Sequence, residues 1–178
     1  MLQRKLQIAN VAALWPFKSK KMIEFLDNPK WEYKVAEIEL VYKTLIKPSD
    51  RTIIRDSNDM YRMFLQFWDP NKINLLEQFK AAYLNQAKQV VGIYNLSTGG
   101  INSTVADSRL ILKGGLDLCA TTMIICHNHP SGNLQPSEAD NILTEKIKLA
   151  GNNQDIKLID HLIITPYGYL SFADEALL

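Results

Sequence analysis

Two histidines, one serine and one aspartate lie within a single stretch of fourteen residues, from His127 to Asp140. His129 follows the first histidine by two positions, and Ser137 precedes the aspartate by three. Residues two apart on a strand point to the same side, so the two imidazoles can share one ligand. Two imidazole nitrogens and one carboxylate oxygen form a donor set that Zn²⁺ takes in hydrolytic sites, where a fourth position stays open for water.

The elements around these residues must bring them together. The apolar run at 122–126 predicts a buried strand leading into the histidines, and 136–143 predicts the start of a helix. Between them, prolines and a glycine make a tight loop that can fold Asp140 back over the histidines. Ser137 and Asp140 could instead be only a helix cap, and the histidines merely exposed. Their combination around one strand–loop–helix turn favours a metal site.

The run resembles the JAMM motif, His-x-His-x(7)-Ser-x(2)-Asp, of the JAB/MPN metalloprotease superfamily. Within it, the segments His-Asn-His-Pro-Ser-Gly and Pro-Ser-x-x-Asp are similar to those of the RadC branch, the bacterial "DNA repair protein RadC" group. Segments 77–85, 97–101 and 158–164 resemble that branch too, and the resemblance covers roughly residues 35–178. It implies a mixed-sheet α/β/α sandwich of the JAB/MPN (cytidine-deaminase-like) type.

The resemblance also implies roles for particular residues: His127, His129 and Asp140 would bind zinc. Hydrolysis then needs a general base, and the superfamily's upstream glutamate corresponds to Glu77. Ser137 would donate a hydrogen bond to the oxyanion of the tetrahedral intermediate. Glu77 could also be an ordinary exposed residue at a junction between elements. Glu37 and Glu39 are weaker candidates for the base, because they alternate with apolar residues on a predicted half-buried strand and so should face solvent.

Length and composition narrow the function classes. A chain of 178 residues with 47% apolar content suits one packed domain, or one domain with an extension. A net charge of +1 gives no general attraction for nucleic acid. No apolar run is long enough to span a membrane, and the weakly signal-like N-terminus has no cleavage site, so we expect a cytoplasmic protein without a membrane partner. Two cysteines agree with a reducing compartment, and Cys126 should lie in the core, facing away from the metal.

We predict an N-terminal extension over residues 1–33 and a RadC-like JAB/MPN domain over residues 34–178. Residues 1–30 carry six basic and two acidic side chains, interleaved with aromatic residues. Such a segment could contact nucleic acid, although a solvated arm or a partner contact is the commoner explanation. Longer RadC chains carry an N-terminal helix-hairpin-helix region that is expected to bind DNA. Residues 1–33 are too few for that region.

The periodicities and caps predict the following elements: strands at 35–42, 79–84, 90–97, 122–126, 157–165 and 169–172, and helices from 56/57, from 107 to about 120, and from 137 to 150. Gly151 should end the last helix. That helix should bury Ile142, Leu143, Ile147 and 149–150. Gly114 and Gly115 should weaken the helix before it by about 2 kcal/mol relative to alanine. His161 should be a buried or hydrogen-bonded residue; orienting a metal ligand is the alternative, and we leave it outside the predicted site.

Three functional hypotheses follow. The first is a zinc metallopeptidase or isopeptidase that acts on an unidentified peptide or conjugate. The second is a non-catalytic zinc-binding module associated with DNA repair or mobile-element DNA transactions. The third is a structural member of a larger assembly. The intact set of two histidines, serine and aspartate favours the first hypothesis over the third, because a scaffold has no need of an open coordination position.

Overall fold

The computed structural model describes residues 36, 38–99 and 106–178. Within these residues the chain forms three α-helices and five strands. In chain order they are α1 (Ser57–Gln66), β1 (Gln78–Leu84), β2 (Val90–Thr98), α2 (Ser108–Asp117), β3 (Thr122–Asn128), α3 (Glu138–Asn152), β4 (Lys157–Thr165) and β5 (Gly168–Ser171). A short 3-10 turn at Pro48–Asp50 precedes α1.

The five strands form one mixed sheet in the order β2-β1-β3-β4-β5. β1 is antiparallel to both of its neighbours, and β4 and β5 form an antiparallel hairpin. β3 and β4 are parallel, and α3 makes the crossover that a parallel pair requires. The sheet therefore places β3, which ends at the histidines, in its centre.

Side chains of the central strands alternate between two cores, one on each face of the sheet. On one face, Ala82, Leu84 and Cys126 pack with apolar residues of α1. On the other, Tyr83 and Ile125 pack with apolar residues of α2 and α3. This confirms the predicted α/β/α sandwich. It also confirms that Cys126 is buried in the core, on the face opposite to that of its neighbour His127.

The strand predicted at 35–42 is wrong for the residues that the structure describes there. Residues 38–46 are exposed and have no regular secondary structure, and Glu39 lies among them. The alternation of apolar and polar residues is present, but a strand also needs a backbone partner. The Tyr42 hydroxyl donates to the carbonyl of Val91 on β2, and this is a side-chain contact rather than a ladder. Glu37 and residues 1–33 lie outside the described residues, so the domain division stays a prediction.

Gly151 does not end α3, because the helix runs to Asn152. A Cβ atom at this position would lie 2.4 Å from the carbonyl oxygen of Ile156, so the glycine permits close packing instead. The buried face of α3 also differs from the prediction. Ile147 is buried, but Ile142 is 61% exposed, and the buried Thr144 takes part in the face instead.

The presence of Gly114 within α2 is also explained by close packing. A Cβ atom there would lie 2.4 Å from the hydroxyl oxygen of Tyr83, and that hydroxyl donates to the carbonyl of Ile111 at 2.7 Å. The loss of helix propensity is therefore accompanied by a close helix–sheet contact. Among the residues that the structure describes, no helix is long and apolar enough to cross a membrane.

Candidate metal centre

His127, His129 and Asp140 meet at the C-terminal end of β3. The two histidine Nε2 atoms lie 3.0 Å apart. Asp140 Oδ1 lies 3.2 Å from Nε2 of His127, and Asp140 Oδ2 lies 3.9 Å from Nε2 of His129. All three candidate donor atoms fall within 4.8 Å of one another. The structure thus brings together the three residues that the sequence predicts as ligands.

These separations suit one metal ion. In tetrahedral coordination with bonds of 2.0–2.1 Å, two ligand atoms lie about 3.3–3.4 Å apart. The 3.0 Å between the two Nε2 atoms and the 3.2 Å from His127 Nε2 to Asp140 Oδ1 lie close to that value. The distance to His129 is longer, 3.9 Å from Asp140 Oδ2, so binding of one ion would draw His129 and Asp140 closer together. Among the described residues, this is the one group of three or more histidine, cysteine, aspartate or glutamate side chains close enough to hold an ion.

The loop after β3 orients His129. The backbone N–H of this histidine donates to the carbonyl of Ile164 on β4, which continues the sheet by one bond. The chain then turns through Gly132, which has a φ of +82° and donates its N–H to the carbonyl of His129. His129 Nδ1 donates to the carbonyl of Asn133 at 2.6 Å. In a neutral ring with its hydrogen on Nδ1, Nε2 keeps the lone pair, and this nitrogen faces the other two candidate ligands.

Ser137 and Asp140 form a capping box at the start of α3. Asp140 Oδ2 accepts from both the backbone N–H and the hydroxyl of Ser137, at 2.8 and 2.6 Å. In return, the Asp140 N–H donates to the Ser137 hydroxyl oxygen at 3.2 Å. The helix cap that the sequence offered as an alternative is therefore present. It is compatible with metal binding, because it occupies Oδ2 and leaves Oδ1 facing His127.

One ligand is enclosed and the other two are partly open. The His127 side chain is 1% exposed, whereas those of His129 and Asp140 are 17% and 14% exposed. Burial lowers the pKa of His127, the Asp140 carboxylate partly opposes this, and the charge of His129 adds to the lowering, which leaves the pKa at about 4. Phe79 stacks almost parallel to the His127 ring, with centroids 5.9 Å apart. His127 is therefore neutral near pH 7, which is the form that binds metal.

His161, which we left outside the predicted site, contacts it directly. His127 Nδ1 lies 2.9 Å from His161 Nε2, and His161 Nδ1 lies 2.6 Å from the hydroxyl oxygen of Thr144. The prediction of a buried, hydrogen-bonded histidine is confirmed. Burial, and then the two other histidines, hold the pKa of His161 well below its ordinary value. Thr144 was not among the predicted site residues. The one sequence feature that could have indicated it is a polar residue on the inner face of an amphipathic helix.

Glu77, the predicted base, directly precedes β1. Its carbonyl accepts from the N–H of Gly99, and its side chain is half-buried. Two residues later, Phe79 pairs with His127 across the β1–β3 ladder. The β1–β3 ladder ends at this pair, so Glu77 lies just beyond it, at the end of the sheet where the candidate ligands meet. If the alternation and register of β1 carried on for two more residues, Glu77 would share the face of Phe79 and lie opposite His129.

Asn128 is a positioning residue that the sequence analysis missed. It is fully buried, and its side-chain amide donates to the carbonyls of Ile73 and Leu76, at 2.6 and 2.9 Å. Its side-chain oxygen accepts from the N–H of Gln78 at 2.7 Å. These bonds attach the segment before β1, which carries Glu77, to the strand that carries the histidines. Only the folded structure shows this, because the bonded groups lie about fifty residues apart.

A comparison with known protein families matches most of the chain. A family model described as "RadC-like JAB domain" matches residues 54–177, which is more than half of the chain. The chain belongs to the RadC-like JAB domain family. The matched span includes the positions of all four residues of the motif run and of Glu77, and it covers all three α-helices and all five strands of the described fold.

Relatives of this RadC-like protein are curated as UPF0758 proteins. One from Flavobacterium johnsoniae is 50% identical over 101 residues, which are 57% of this chain and 44% of the relative. One from Porphyromonas gingivalis is 40% identical over 129 residues, or 72% of this chain and 56% of the relative. UPF0758 protein YeeS of Escherichia coli is 39% identical over 102 residues, or 57% and 69%. The chain spans about half the length of the first two relatives, and these names state no activity.

The two buried histidines of this RadC-like domain predict acid sensitivity of the metal-free protein. In the unfolded chain both should titrate near pH 6.5, whereas in the fold both have lowered pKa values. Well above pH 6.5 both histidines are neutral in the folded and the unfolded state, so they do not make the free energy of unfolding depend on pH. As the pH falls below 6.5, both histidines become protonated in the unfolded chain but stay neutral in the folded protein, which lowers the free energy of unfolding. In the folded protein His127 becomes protonated only near its pKa of about 4.

We expect the free energy of unfolding to fall between pH 7.5 and pH 5 by up to about 2 kcal/mol for each of the two histidines. Asp160 acts in the opposite direction, since burial raises its pKa. Urea unfolding of the metal-free protein at the two pH values measures the difference. An equal or higher midpoint at pH 5 would contradict the prediction.

Replacing Asn128 by alanine should destabilise the RadC-like domain. The substitution leaves two carbonyls and one N–H without the partners described above, and we expect a cost of about 3 kcal/mol. Urea unfolding measures it. The matched control is Asn71→Ala, since Asn71 lies on the exposed surface of the same segment. Similar small losses in both variants would show that Asn128 does not hold this segment to β3.

Proposed function

We propose that this RadC-like domain is a zinc-dependent hydrolase of the metallopeptidase or isopeptidase type, acting on a peptide or conjugate. One observation carries the proposal. The two histidine Nε2 atoms lie 3.0 Å apart and meet the carboxylate of Asp140, whose Oδ1 is 3.2 Å from His127 and whose Oδ2 is 3.9 Å from His129. The side chains of His129 and Asp140 remain partly open to solvent. An open three-residue site is the pattern of catalytic zinc, whereas structural zinc is enclosed by four protein ligands.

The donor set supports zinc in particular. Mg²⁺ and Ca²⁺ prefer six or more oxygen donors, but this site offers two imidazole nitrogens and one carboxylate. His127, His129 and Asp140 would hold the ion. A bound zinc ion supplies Lewis acidity, which makes water a better nucleophile near neutral pH and polarises an amide carbonyl.

Glu77 would act as the general base and then as the general acid. Its carboxylate accepts a proton from the attacking water and returns that proton to the leaving amine, so the residue ends each cycle ionised. Its place directly before β1, two residues from Phe79, which pairs with His127, supports this role. The hydrogen bonds of Asn128 hold in place the backbone of the segment that leads into Glu77.

Ser137 would stabilise the developing oxyanion by donating its hydroxyl hydrogen. In this structure the hydroxyl donates to Asp140 Oδ2. The role therefore requires the hydrogen to rotate away from Asp140. The Asp140 carboxylate keeps one bond from this cap in either case, because the backbone N–H of Ser137 also donates to Oδ2.

Metal analysis of the untagged protein, followed by hydrolysis assays, tests this function. We expect about one zinc per chain, and cleavage of some member of a panel of peptides and isopeptide-linked conjugates. Chelation should remove the activity, and added zinc should restore it. Failure to take up zinc would overturn the proposal, as would a zinc-loaded protein that cleaves nothing in the panel.

A second candidate is a zinc-binding module without catalysis, associated with DNA repair or mobile-element DNA transactions. It is supported by a cavity of about 440 Å³ beside α1 that is lined by Arg51, Arg55 and Arg62 together with other polar and apolar side chains. Asp59 is the one acidic residue of its lining and pairs with Arg55 at 3.7 Å. Guanidinium groups in a cleft are suited to phosphate oxygens.

Fluorescence anisotropy with labelled duplex and single-stranded DNA tests the second candidate. Binding should weaken steeply as salt rises, and Arg51→Gln combined with Arg62→Gln should weaken it further. Arg109→Gln is the matched control, because Arg109 lies on α2 outside this cavity and pairs with Asp107. Absence of binding at low salt, or equal effects of the cavity variant and the control, would overturn this candidate.

A further inference from the structure

Thr144 gives a direction to the hydrogen bonds behind the candidate metal centre. Its hydroxyl oxygen lies 2.6 Å from the backbone carbonyl oxygen of Asp140 and also 2.6 Å from Nδ1 of His161. A carbonyl oxygen can only accept, so the single hydroxyl hydrogen must point at Asp140. Toward His161 the hydroxyl can then only accept. Nδ1 of His161 therefore carries a hydrogen.

The next bond follows from the first. The His161 ring is fully buried, stacks on Phe172 with centroids 4.6 Å apart, and has uncharged hydrogen-bond partners. A neutral imidazole with a hydrogen on Nδ1 has an acceptor at Nε2. That acceptor lies 2.9 Å from Nδ1 of His127, so His127 must donate. The remaining nitrogen of His127, Nε2, then presents its lone pair to His129 and Asp140.

The chain of bonds thus begins at one candidate ligand and ends at the backbone of another. It runs from His127 through His161 and Thr144 to the carbonyl of Asp140. Hydrogen bonds to the remote nitrogen of a ligating histidine fix its tautomer and raise its basicity as a ligand. Nδ1 of His129 donates to a different acceptor, the carbonyl of Asn133. Each histidine of the site therefore has its own acceptor behind it.

We propose that Thr144 and His161 are positioning residues, which set the tautomer of His127 before metal binds and couple this histidine to the helix that carries Asp140. The inference rests on the proposed function only in that the site holds a metal ion. It requires no catalysis. It explains why α3 buries a threonine in its apolar face and why β4 buries a histidine beside β3.

The test uses the full chain, with Thr144→Val to remove the hydroxyl at nearly constant shape and Thr144→Ser to restore it. Long-range ¹⁵N–¹H correlation spectra of the metal-free protein report which ring nitrogen of each histidine carries a hydrogen. Zinc affinity is measured by competition with a chelator. Ile147→Val is the matched control, because it alters a buried side chain of the same helix that takes no part in the chain of bonds.

In the wild type we expect His127 and His161 both to carry their hydrogen on Nδ1. Thr144→Val should shift the His161 ring toward a tautomer mixture and weaken zinc binding about 10- to 100-fold. Thr144→Ser should restore both properties, and Ile147→Val should leave both unchanged. Unchanged tautomers and affinity in Thr144→Val would overturn the inference, as would an equal loss of affinity in Ile147→Val.

The two proposals fail in different ways. If the wild type takes up no zinc, the proposed function fails, and the spectra of the metal-free protein still decide whether Thr144 and His161 set the tautomer of His127. If the wild type binds zinc and Thr144→Val binds it equally well, the positioning role fails. The metal centre and the proposed hydrolase function then stand without it.

Discussion

Replacing Glu77 by glutamine is expected to lower the rate of hydrolysis about 10²- to 10⁴-fold while zinc stays bound. Glutamine has nearly the same shape and keeps the backbone bond from Gly99. It cannot accept the proton of the attacking water. The measurement is kcat on a substrate identified from the peptide and isopeptide panel, with metal content determined on the same sample.

Glu138→Gln is the matched control for this variant. Glu138 is an exposed acid in the first turn of α3, two residues before Asp140, so its neutralisation changes the local charge by the same amount. We expect its rate to stay within about threefold of the wild type, since exposed charges are screened by solvent. An unchanged rate in Glu77→Gln, or an equal loss in both variants, would show that Glu77 is not the base.

Replacing Asp140 by alanine should abolish metal binding. The variant keeps the two imidazoles and loses the carboxylate donor of the cluster. We expect the zinc content to fall from about one per chain to near zero, together with any hydrolytic activity. Metal analysis after dialysis against a weak chelator measures this result.

Asp140 also caps α3, so the control must separate the two roles. Ser137→Ala removes the hydroxyl from the capping box but leaves Oδ1 of Asp140 facing His127. This variant should lose about 1 kcal/mol of stability and keep its zinc. Full zinc binding by Asp140→Ala would contradict the assignment of the ligand. Loss of zinc in both variants would assign the effect to the helix cap.

The local parts of the site could be predicted because their geometry is set within a few residues. The alternation of a strand places His127 and His129 on one side, and the helix start places Ser137 and Asp140 together. The cap and the metal site, which we weighed as alternatives, are both compatible with the structure because a carboxylate has two oxygens. Ser137 bonds one, and the other faces His127.

The parts that could not be predicted depend on register and packing between distant segments. His161 reaches His127 because β4 pairs in parallel with β3, which aligns Ile163 with His127 and puts His161 two residues earlier on the same face. A shift of that register by one residue would turn His161 into the opposite core. The buried Thr144 of α3 depends on the same register, because its hydroxyl bonds His161 on β4 as well as the carbonyl of Asp140 in its own helix.

The sequence by itself determined the strand–loop–helix turn, the donor set for a metal ion and the α/β character of the chain, because these follow from residue type and short-range periodicity. Only the tertiary structure decided which long-range partners complete the site. Asn128 ties the segment of Glu77 to β3, and Gly151 permits a close contact at Ile156. Hydrogen bonds and close contacts between segments tens of residues apart leave no periodic signal, so they become visible only when the sheet register is known.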